Sequence, residues 1–196
     1  MRKGERTKLH IIQKSAELFN QNGYTGTSMQ DIMDATGLTK GALYRGFTSK
    51  DEIAIEAFKY ACEVLHEHFV AALKNQDTAT AKIVAMVNVY SDAVYNPPLQ
   101  GGCPLLNTAV ESDHSFPVLR DYAVAIYLET LTFMQNVLKE GVAQGEFRAD
   151  MDAEAVASII FSSIEGAIMA SRLTRDNKHV HFAINHVERL LQTFQS

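Results

Sequence analysis

The side chains best suited to binding chemistry lie close together between residues 27 and 50. Hydroxyl and ammonium groups recur there at short spacing, in a chain that shows no Ser-His-Asp, zinc-binding or phosphate-loop pattern. Donors of this kind bind phosphates and the edges of nucleic-acid bases, because both present hydrogen-bond acceptors. The residue types therefore favour binding to a polyanion and indicate no catalytic reaction.

Two short helices joined by a tight turn are predicted to position these donors. Ser28 is suited to cap the first helix, with Asp31 reaching back from its third position. Gly37 stands where a left-handed residue ends that helix, and Thr39 can cap the second. The pair has too little apolar surface to form a core. This pattern predicts a helix-turn-helix whose second helix enters a groove of double-stranded DNA.

The second helix is predicted to touch the DNA directly. Lys40 can reach a guanine edge or a phosphate, Gly41 lets the backbone approach closely, and Tyr44 can donate its hydroxyl to a phosphate. Instead of contacting DNA, Tyr44 could be a packed aromatic residue and Arg45 a charge exposed to solvent; both alternatives stay open on the sequence. The predicted DNA-binding residues are Thr27, Ser28, Thr39, Lys40, Gly41, Ala42, Tyr44, Arg45 and Lys50.

Residues 6–53 resemble the DNA-binding domain of the TetR (tetracycline-repressor-like) family of bacterial regulators. The matching residues are Ile12, Ala16, Leu18, Phe19, Gly23, Tyr24, Thr27, Ser28, Ile32, Ala35, Gly37, Leu38, Thr39, Lys40, Gly41, Leu43, Tyr44, Phe47 and Lys50. Gly46 departs from the family pattern, which usually has histidine or an aromatic residue there. Glycine removes that phosphate contact and loosens a helix by about 1 kcal/mol relative to alanine.

The resemblance implies a cytoplasmic homodimer that binds a palindromic operator and leaves it when a small-molecule effector binds. Most members are repressors, although an activator stays possible on this pattern. In the family the effector lies among the fourth to eighth helices and tilts the fourth. No cofactor or metal is implied.

The charge distribution agrees with a DNA partner. The chain of 196 residues has a net charge of −5, yet residues 1–50 carry 8 − 4 = +4 and the remainder 10 − 19 = −9. No apolar run is expected to approach the ~18–20 residues of a membrane helix, and the N-terminus does not resemble a secretory signal. These features predict a cytoplasmic protein with no membrane partner.

Apolar spacing predicts an all-α fold of about nine helices with two domains. Residues 1–47 are expected to form the helix-turn-helix domain, and residues 48–196 a helical domain for ligand binding and dimerisation. The predicted helices include Glu5–Asn22, a helix from Ser49 to about Lys74, Thr78–Tyr95, Phe116–Ala143, a helix from Asp152 to about Leu173, and one from about Asn177 to about Phe194.

Methionine, aromatic and polar residues on predicted inward faces are the candidates for binding an effector. They are Met86, Tyr90, Cys103, Asn107, Glu111, Tyr122, Met134, Phe161, Glu165 and Met169. Ordinary core packing is the alternative for each. Cys103, at a predicted helix start, is an alternative candidate for an electrophile or redox sensor. An enzyme that uses Cys103 with a histidine, or the carboxylates, is a further alternative. The other alternative is an architectural DNA-binding protein without a ligand.

The last two helices carry broad apolar stripes that one helix hairpin cannot cover. We expect them to form a four-helix interface with a second copy, with burial inside one chain as the alternative. The predicted interface residues are Ile160, Ile164, Ala167, Ile168, Ile184, Val187 and Leu191.

Overall fold

The computed structural model describes residues 2–196, with the side chains of residues 113–115 outside the description. Within that part of the chain the regular structure is helical, apart from one isolated bridge between Phe147 and Gln195. The helices are α1 Lys3–Gly26, α2 Met29–Thr36, α3 Lys40–Leu43, α4 Lys50–Leu73, α5 Ala79–Asn88, α6 Pro104–Ser115, α7 Pro117–Ala143, α8 Ala153–Thr174 and α9 Lys178–Gln192. The all-α prediction with nine helices is confirmed for the described residues.

The chain forms two compact units. The first consists of Met1–Leu65 with Leu99–Val124, and the second of His66–Pro98 with Ala125–Ser196. The helix-turn-helix segment therefore packs in one unit with the first part of α4 and with α6. The functional division proposed at residue 47 stays a prediction.

The first unit has two apolar clusters along α1. Around the helix-turn-helix, five buried residues pack together, namely Ile11, Ile32, Leu43, Phe47 and Ile53. Further along, Ala16 of α1 packs with Ala57 and Ala61 of α4. Because alanines have short side chains, the two helices approach closely there. Burying apolar surface of this kind stabilises the fold by about 25 cal/mol per Å².

Two helix ends show how local sequence sets the boundaries. Gly23 interrupts α1 with φ 78° and ψ 168°, one residue after the predicted end of this helix at Asn22, and α1 as a whole extends to Gly26. The fifth helix ends at Asn88, so the prediction that it continues to Tyr95 is wrong. At its end the N–H groups of Val89 and Tyr90 bond to carbonyls three residues back, at 3.2 and 3.3 Å, which tightens the chain into turns.

The second unit is built around α8 and α9. Asp152 caps α8 by accepting hydrogen bonds from the N–H groups of Glu154 and Ala155, each at 3.1 Å, as predicted. The buried apolar side chains of α8 and α9 include Ile160, Ile164, Ile168, Ile184, Val187 and Leu191. The two helices thus share one core inside the chain.

Helix α8 is also the one helix among the described residues that is long and apolar enough to cross a membrane by length and composition. Its 22 residues contain a window with a mean hydropathy of 1.5, of which 39% is buried. The expectation that no apolar run approaches this length is therefore wrong. A core helix of a water-soluble protein has the same properties, so this feature is weak evidence for a membrane span.

Candidate nucleic-acid interface

The turn between α2 and α3 has the geometry predicted from its capping residues. The Ser28 hydroxyl accepts from the N–H of Asp31 at 3.1 Å, and the Asp31 carboxylate accepts from the N–H of Ser28 at 2.7 Å. The Ser28 hydroxyl also donates to the Asp31 carboxylate, at 2.7 Å, and this bond, together with the one from the Ser28 N–H, lowers the pKa of Asp31. Gly37 is left-handed, with φ 68° and ψ 19°, and the next N–H, of Leu38, donates to the carbonyl of Met33 at 3.2 Å. The entry angle of α3 is fixed by these contacts.

Helix α3 holds its inner side in the core and leaves its donors outside. The Thr39 hydroxyl caps it by accepting from the N–H of Ala42 at 3.3 Å, and Leu43 is fully buried. Lys40 is exposed, and its Nζ lies 5.9 Å from the ring centroid of Tyr44, which is 46% exposed. A cation and a phenol hydroxyl therefore share one surface, beside the exposed Arg45.

Gly41 lies on this surface without an internal reason to be glycine. A Cβ added there would meet no atom within 4 Å, and its backbone is not left-handed. Alanine would strengthen the helix by roughly 1 kcal/mol. The absence of a side chain thus fits a close approach by a molecule outside the chain.

Thr27 and Ser28, both predicted to contact DNA, differ in their exposure. Thr27 is fully buried, and its hydroxyl donates to the carbonyl of Gly23 at 2.8 Å. A phosphate contact by this hydroxyl would require the loss of that bond, so burial argues against it. Ser28 is exposed at the N-terminus of α2, where a phosphate can approach.

Lys50, which is predicted to contact DNA, is half-buried beside Tyr24 and does not lie on the exposed surface of α3. Its Nζ is 4.1 Å from the ring centroid of Tyr24, and burial lowers its pKa. The Tyr24 hydroxyl donates to Asp51; burial and this bond raise the pKa of Tyr24 to about 12. Lys50 therefore helps hold the end of α1 against the start of α4.

Two side-chain hydrogen bonds cap the start of α4, close to the predicted start at Ser49. The Ser49 hydroxyl accepts from the N–H of Glu52 at 3.1 Å. The Glu52 carboxylate reaches one residue further, however, and accepts from the N–H of Thr48 at 2.7 Å. This bond lowers the pKa of Glu52.

Glu111 of α6 binds the backbone just after the break in α1. Its two carboxylate oxygens accept from the N–H groups of Tyr24 and Thr25, each at 2.6 Å. A Cβ on Gly23 would lie 2.7 Å from one of these oxygens, so glycine is needed there for space as well as for its backbone angle. The sequence shows no signal for this contact, because the partners are 86 and 87 residues apart.

A second polar contact joins α1 to the start of α6. The Asn20 amide donates to the carbonyls of Gln100 and Gly102 at 2.8 and 2.9 Å. Asn107 donates in turn to the backbone carbonyl of Asn20 at 3.0 Å. These two amides hold the loop before α6 against α1.

The first unit contains a cavity of about 40 Å³ between α1, α4, α6 and the start of α7, enough for a few water molecules. Of the predicted effector residues, Asn107 and Glu111 line it. Cys103 is buried at the N-cap of α6 without lining it, and Tyr122 is partly exposed, with Lys59 Nζ 4.8 Å from its ring centroid. Burial keeps the Cys103 thiol away from solvent, which argues against easy reaction with an electrophile.

The remaining effector candidates belong to the second unit. Met86, Tyr90 and Met134 are buried there, and Phe161 packs edge-on against Tyr127 with ring centroids 5.4 Å apart. Glu165 is half-buried. Met169 is 55% exposed, so its predicted inward orientation is wrong. The role of the buried candidates in effector binding stays a prediction.

Six of the seven predicted dimer residues are buried inside the single chain, which argues against their contact with a partner, and the prediction for Ala167 stays untested. Ile160, Ile164, Ile168, Ile184, Val187 and Leu191 are buried within their own unit, and Ala167 is half-buried. They fill the core because the face they share points towards the rest of the unit. A different face of α8 is exposed and largely apolar, and its residues are Ile159, Ser162, Gly166, Met169 and Leu173. We call these five residues the outer α8 face.

Together, an anchored recognition helix, its open donors and an all-helical body define a helix-turn-helix DNA-binding protein. Residues 11–57 match the family model described as bacterial regulatory proteins, tetR family, and residues 79–187 match the tetracyclin repressor-like C-terminal domain. The chain belongs to the TetR family of transcriptional regulators.

Several known proteins are similar to this chain over most or all of its length. A TetR transcriptional regulator from Chloroflexus aurantiacus is 38% identical with a TM-score of 0.95, covering 100% of this chain and 98% of that one. A TetR-family regulator from Cytophaga hutchinsonii is 32% identical with a TM-score of 0.93, at the same coverage. The transcriptional repressor DhaR from Mycobacterium sp. strain GP1 is 25% identical, covering 86% of this chain and 84% of its own.

Proposed function

We propose that this protein is a cytoplasmic repressor that binds a palindromic operator as a homodimer and is released by a small-molecule effector. The observation that carries the proposal is the open surface of α3, where Lys40, Gly41 and Tyr44 stand outside while Leu43 anchors the helix in the core. Backbone approach at Gly41 brings the donors within reach of base edges and phosphates. A regulator of this class needs no catalytic group.

The distribution of charge supports the same orientation on DNA. Residues 1–50 carry a net charge of +4 and the rest of the chain −9, so the field favours contact through the helix-turn-helix. Arg2, Lys3, Arg6 and Lys8 lie exposed along the first turns of α1 and add further cations for phosphates.

The outer α8 face supports dimerisation. Ile159, Met169 and Leu173 are each more than half exposed, and Gly166 between them allows another helix to approach closely. Covering these side chains with a second copy removes apolar surface from water. A two-fold dimer presents two recognition helices to half-sites about 34–36 Å apart, which explains a palindromic operator.

The experiment begins with selection of bound sites from a random pool of duplex DNA. Binding to the selected duplex is then measured by fluorescence anisotropy for the wild type and for Lys40→Ala combined with Tyr44→Ala. We expect the double variant to bind at least ~10-fold more weakly, because two backbone or base contacts are lost. Its plot of log affinity against log salt should also be shallower by about one for each lost phosphate contact.

Lys139→Ala is the matched control, because Lys139 is an exposed lysine on α7 in the second unit. It should leave both affinity and salt slope unchanged. Equal affinity of the wild type and the double variant, with circular dichroism showing both folded, would remove α3 from the interface. Failure to select any duplex would contradict DNA binding itself.

A further inference from the structure

The cavity in the first unit is lined by both aromatic and polar residues. The aromatic ones are Phe19, Tyr24, Phe58 and Phe116, and Tyr24 packs against Phe116 with ring centroids 4.8 Å apart. The polar residues that line the cavity include Glu111 and Ser112 of α6. Ring faces are negative in their electrostatic potential, so such a combination favours a cationic group over an anionic one.

Ser112 provides an independent sign that something is missing from the cavity. Its side chain is 2% exposed, and its hydroxyl has no hydrogen-bond partner within the described part of the chain. A buried hydroxyl without a partner costs about 1–3 kcal/mol. An occupant that offers a hydrogen-bond group to Oγ would remove this cost.

Glu111 keeps binding capacity even though it holds two backbone N–H groups. An ionised carboxylate has about four lone-pair sites, and the bonds to Tyr24 and Thr25 use two of them. Among the side chains that the structure describes, no cation lies within 4.0 Å of its oxygens to form an ion pair. Lys50 interacts with it electrostatically, but its ammonium lies over the Tyr24 ring.

We propose that this cavity binds a small organic ammonium ion with a short apolar body. The ammonium group donates to the Glu111 carboxylate and to Ser112 Oγ, while the body packs against Phe58 and Phe116. Because the cavity measures about 40 Å³, the body is restricted to a short alkyl chain unless the side chains around it move. An uncharged alcohol of the same length lacks the charge-assisted hydrogen bond and binds more weakly.

Occupation of this cavity also affects the joint between α1 and α2. An ammonium ion on the free lone pairs of Glu111 draws on the carboxylate charge that also holds the N–H groups of Tyr24 and Thr25, so these two hydrogen bonds weaken without being displaced. The chain that follows Thr25 leads directly into α2 at Met29, so a weaker hold there loosens the orientation of the helix-turn-helix. This regulatory step rests on the proposed function, whereas ligand binding in the cavity can be tested without DNA.

The test is a titration of the ¹⁵N-labelled full-length protein with n-butylammonium chloride, followed through the amide resonances of Tyr24 and Thr25. Sodium chloride keeps the ionic strength constant, and 1-butanol is the uncharged counterpart. We expect saturable shifts with the amine and at least ~10-fold weaker binding of the alcohol, since ~1.4 kcal/mol corresponds to that ratio. Absence of a saturable shift, or equal affinity for both compounds, would overturn the proposal.

Glu111→Gln removes the charge and should abolish the preference for the amine. Glu140→Gln is its matched control, because Glu140 lies exposed on α7 and forms only a surface ion pair with Lys82 at 3.5 Å. If Glu111→Gln does not fold, Thr108→Leu fills the cavity while keeping the carboxylate, since Thr108 is half-buried in its wall. Unchanged amine binding in a folded Thr108→Leu variant would exclude this cavity.

Anisotropy with the selected duplex separates the two proposals. We expect n-butylammonium to weaken DNA binding by the wild type at least ~5-fold, the lower end of ordinary allosteric coupling, and not to affect Thr108→Leu. A protein that binds DNA but shows no amine-dependent shift would overturn the cavity proposal alone. A protein that binds the amine but selects no duplex would overturn the proposed function alone.

Discussion

At the scale of single residues, α3 shows how stability and binding can require different side chains. Leu43 is fully buried and holds the four-residue helix against Ile11 and Ile32. A helix this short is not stable through its own hydrogen bonds, so it depends on this packing. Gly41 lies in the same helix but outside the core. As a glycine it makes the helix less stable, and a side chain at this position would have open space around it. The presence of glycine at position 41 is therefore explained by its place on the proposed DNA-binding surface and not by a requirement of the fold.

Gly41→Ala is therefore expected to raise stability while lowering DNA affinity. The free energy of unfolding should rise by roughly 0.4–1 kcal/mol, because alanine fits this backbone and restricts the unfolded chain. DNA binding should fall by ~10-fold or more if the added methyl group holds the backbone away from the groove. Urea denaturation and anisotropy measure the two quantities on the same preparation.

Gly46→Ala is the control for that substitution. A Cβ at this position would meet the Leu43 carbonyl oxygen at 3.6 Å and Ile11 Cδ1 at 3.9 Å, which are ordinary contacts. We expect a similar gain in stability and little change in DNA affinity. A parallel loss of affinity in both variants would show that rigidity of α3, and not space at Gly41, controls binding.

At the scale of helices, the sequence predicts those features that a few consecutive residues determine. Ser28 with Asp31, Gly37 and Thr39 each act within one helical turn, and the structure has them as the pattern indicates. The contact of Glu111 with Tyr24 depends on how α6 packs against α1, which no local pattern contains. The inward orientation predicted for Met169 is wrong for the same reason, because periodicity within one helix does not show which neighbours that helix packs against.

Gly23→Ala tests the joint between α1 and α6. Alanine would be forced into a backbone conformation that is almost restricted to glycine, with its Cβ 2.7 Å from a Glu111 oxygen. We expect a loss of about 2–3 kcal/mol in the free energy of unfolding, from strain and from weaker bonds to Glu111. Chemical denaturation gives the value directly.

Gly26→Ala supplies the comparison for this loss. It lies three residues further along α1 without a left-handed backbone, and its Cβ would meet only Asn22 Cβ, at 3.8 Å. Its stability should change by less than about 0.5 kcal/mol, or rise. Equal destabilisation of the two variants would contradict the role given to Gly23 and Glu111.

At the scale of the whole molecule, α8 has one buried apolar face and one exposed apolar face. The spacing of apolar residues in the sequence does not tell these two faces apart. Residues at positions i and i+1 on a helix differ by only 100°, so Ile159 and Ile160 both fit a broad stripe. The structure buries Ile160 and leaves Ile159 about half exposed. Burial inside the chain, the alternative to an interface, holds for one face, whereas the outer α8 face is exposed and carries the proposed dimer contact.

Met169→Glu combined with Leu173→Glu should convert the proposed dimer into a folded monomer. The two side chains are 55% and 81% exposed, so charges are well solvated there in the single chain. In a dimer they would be buried without partners, which should raise the dimer dissociation constant at least ~100-fold, or about 3 kcal/mol. Light scattering coupled to size exclusion measures the mass against the 21.7 kDa of one chain.

Loss of the dimer should also weaken operator binding by ~100-fold or more, because a monomer binds one half-site and loses the effective concentration of the second. Val110→Glu is the matched control, since Val110 is 75% exposed on α6 of the other unit and should leave both mass and DNA affinity unchanged. A Met169→Glu, Leu173→Glu variant that remains a dimer with native DNA affinity would place the interface elsewhere. A monomer that still binds the full palindrome as tightly would instead show that the two half-sites are read independently.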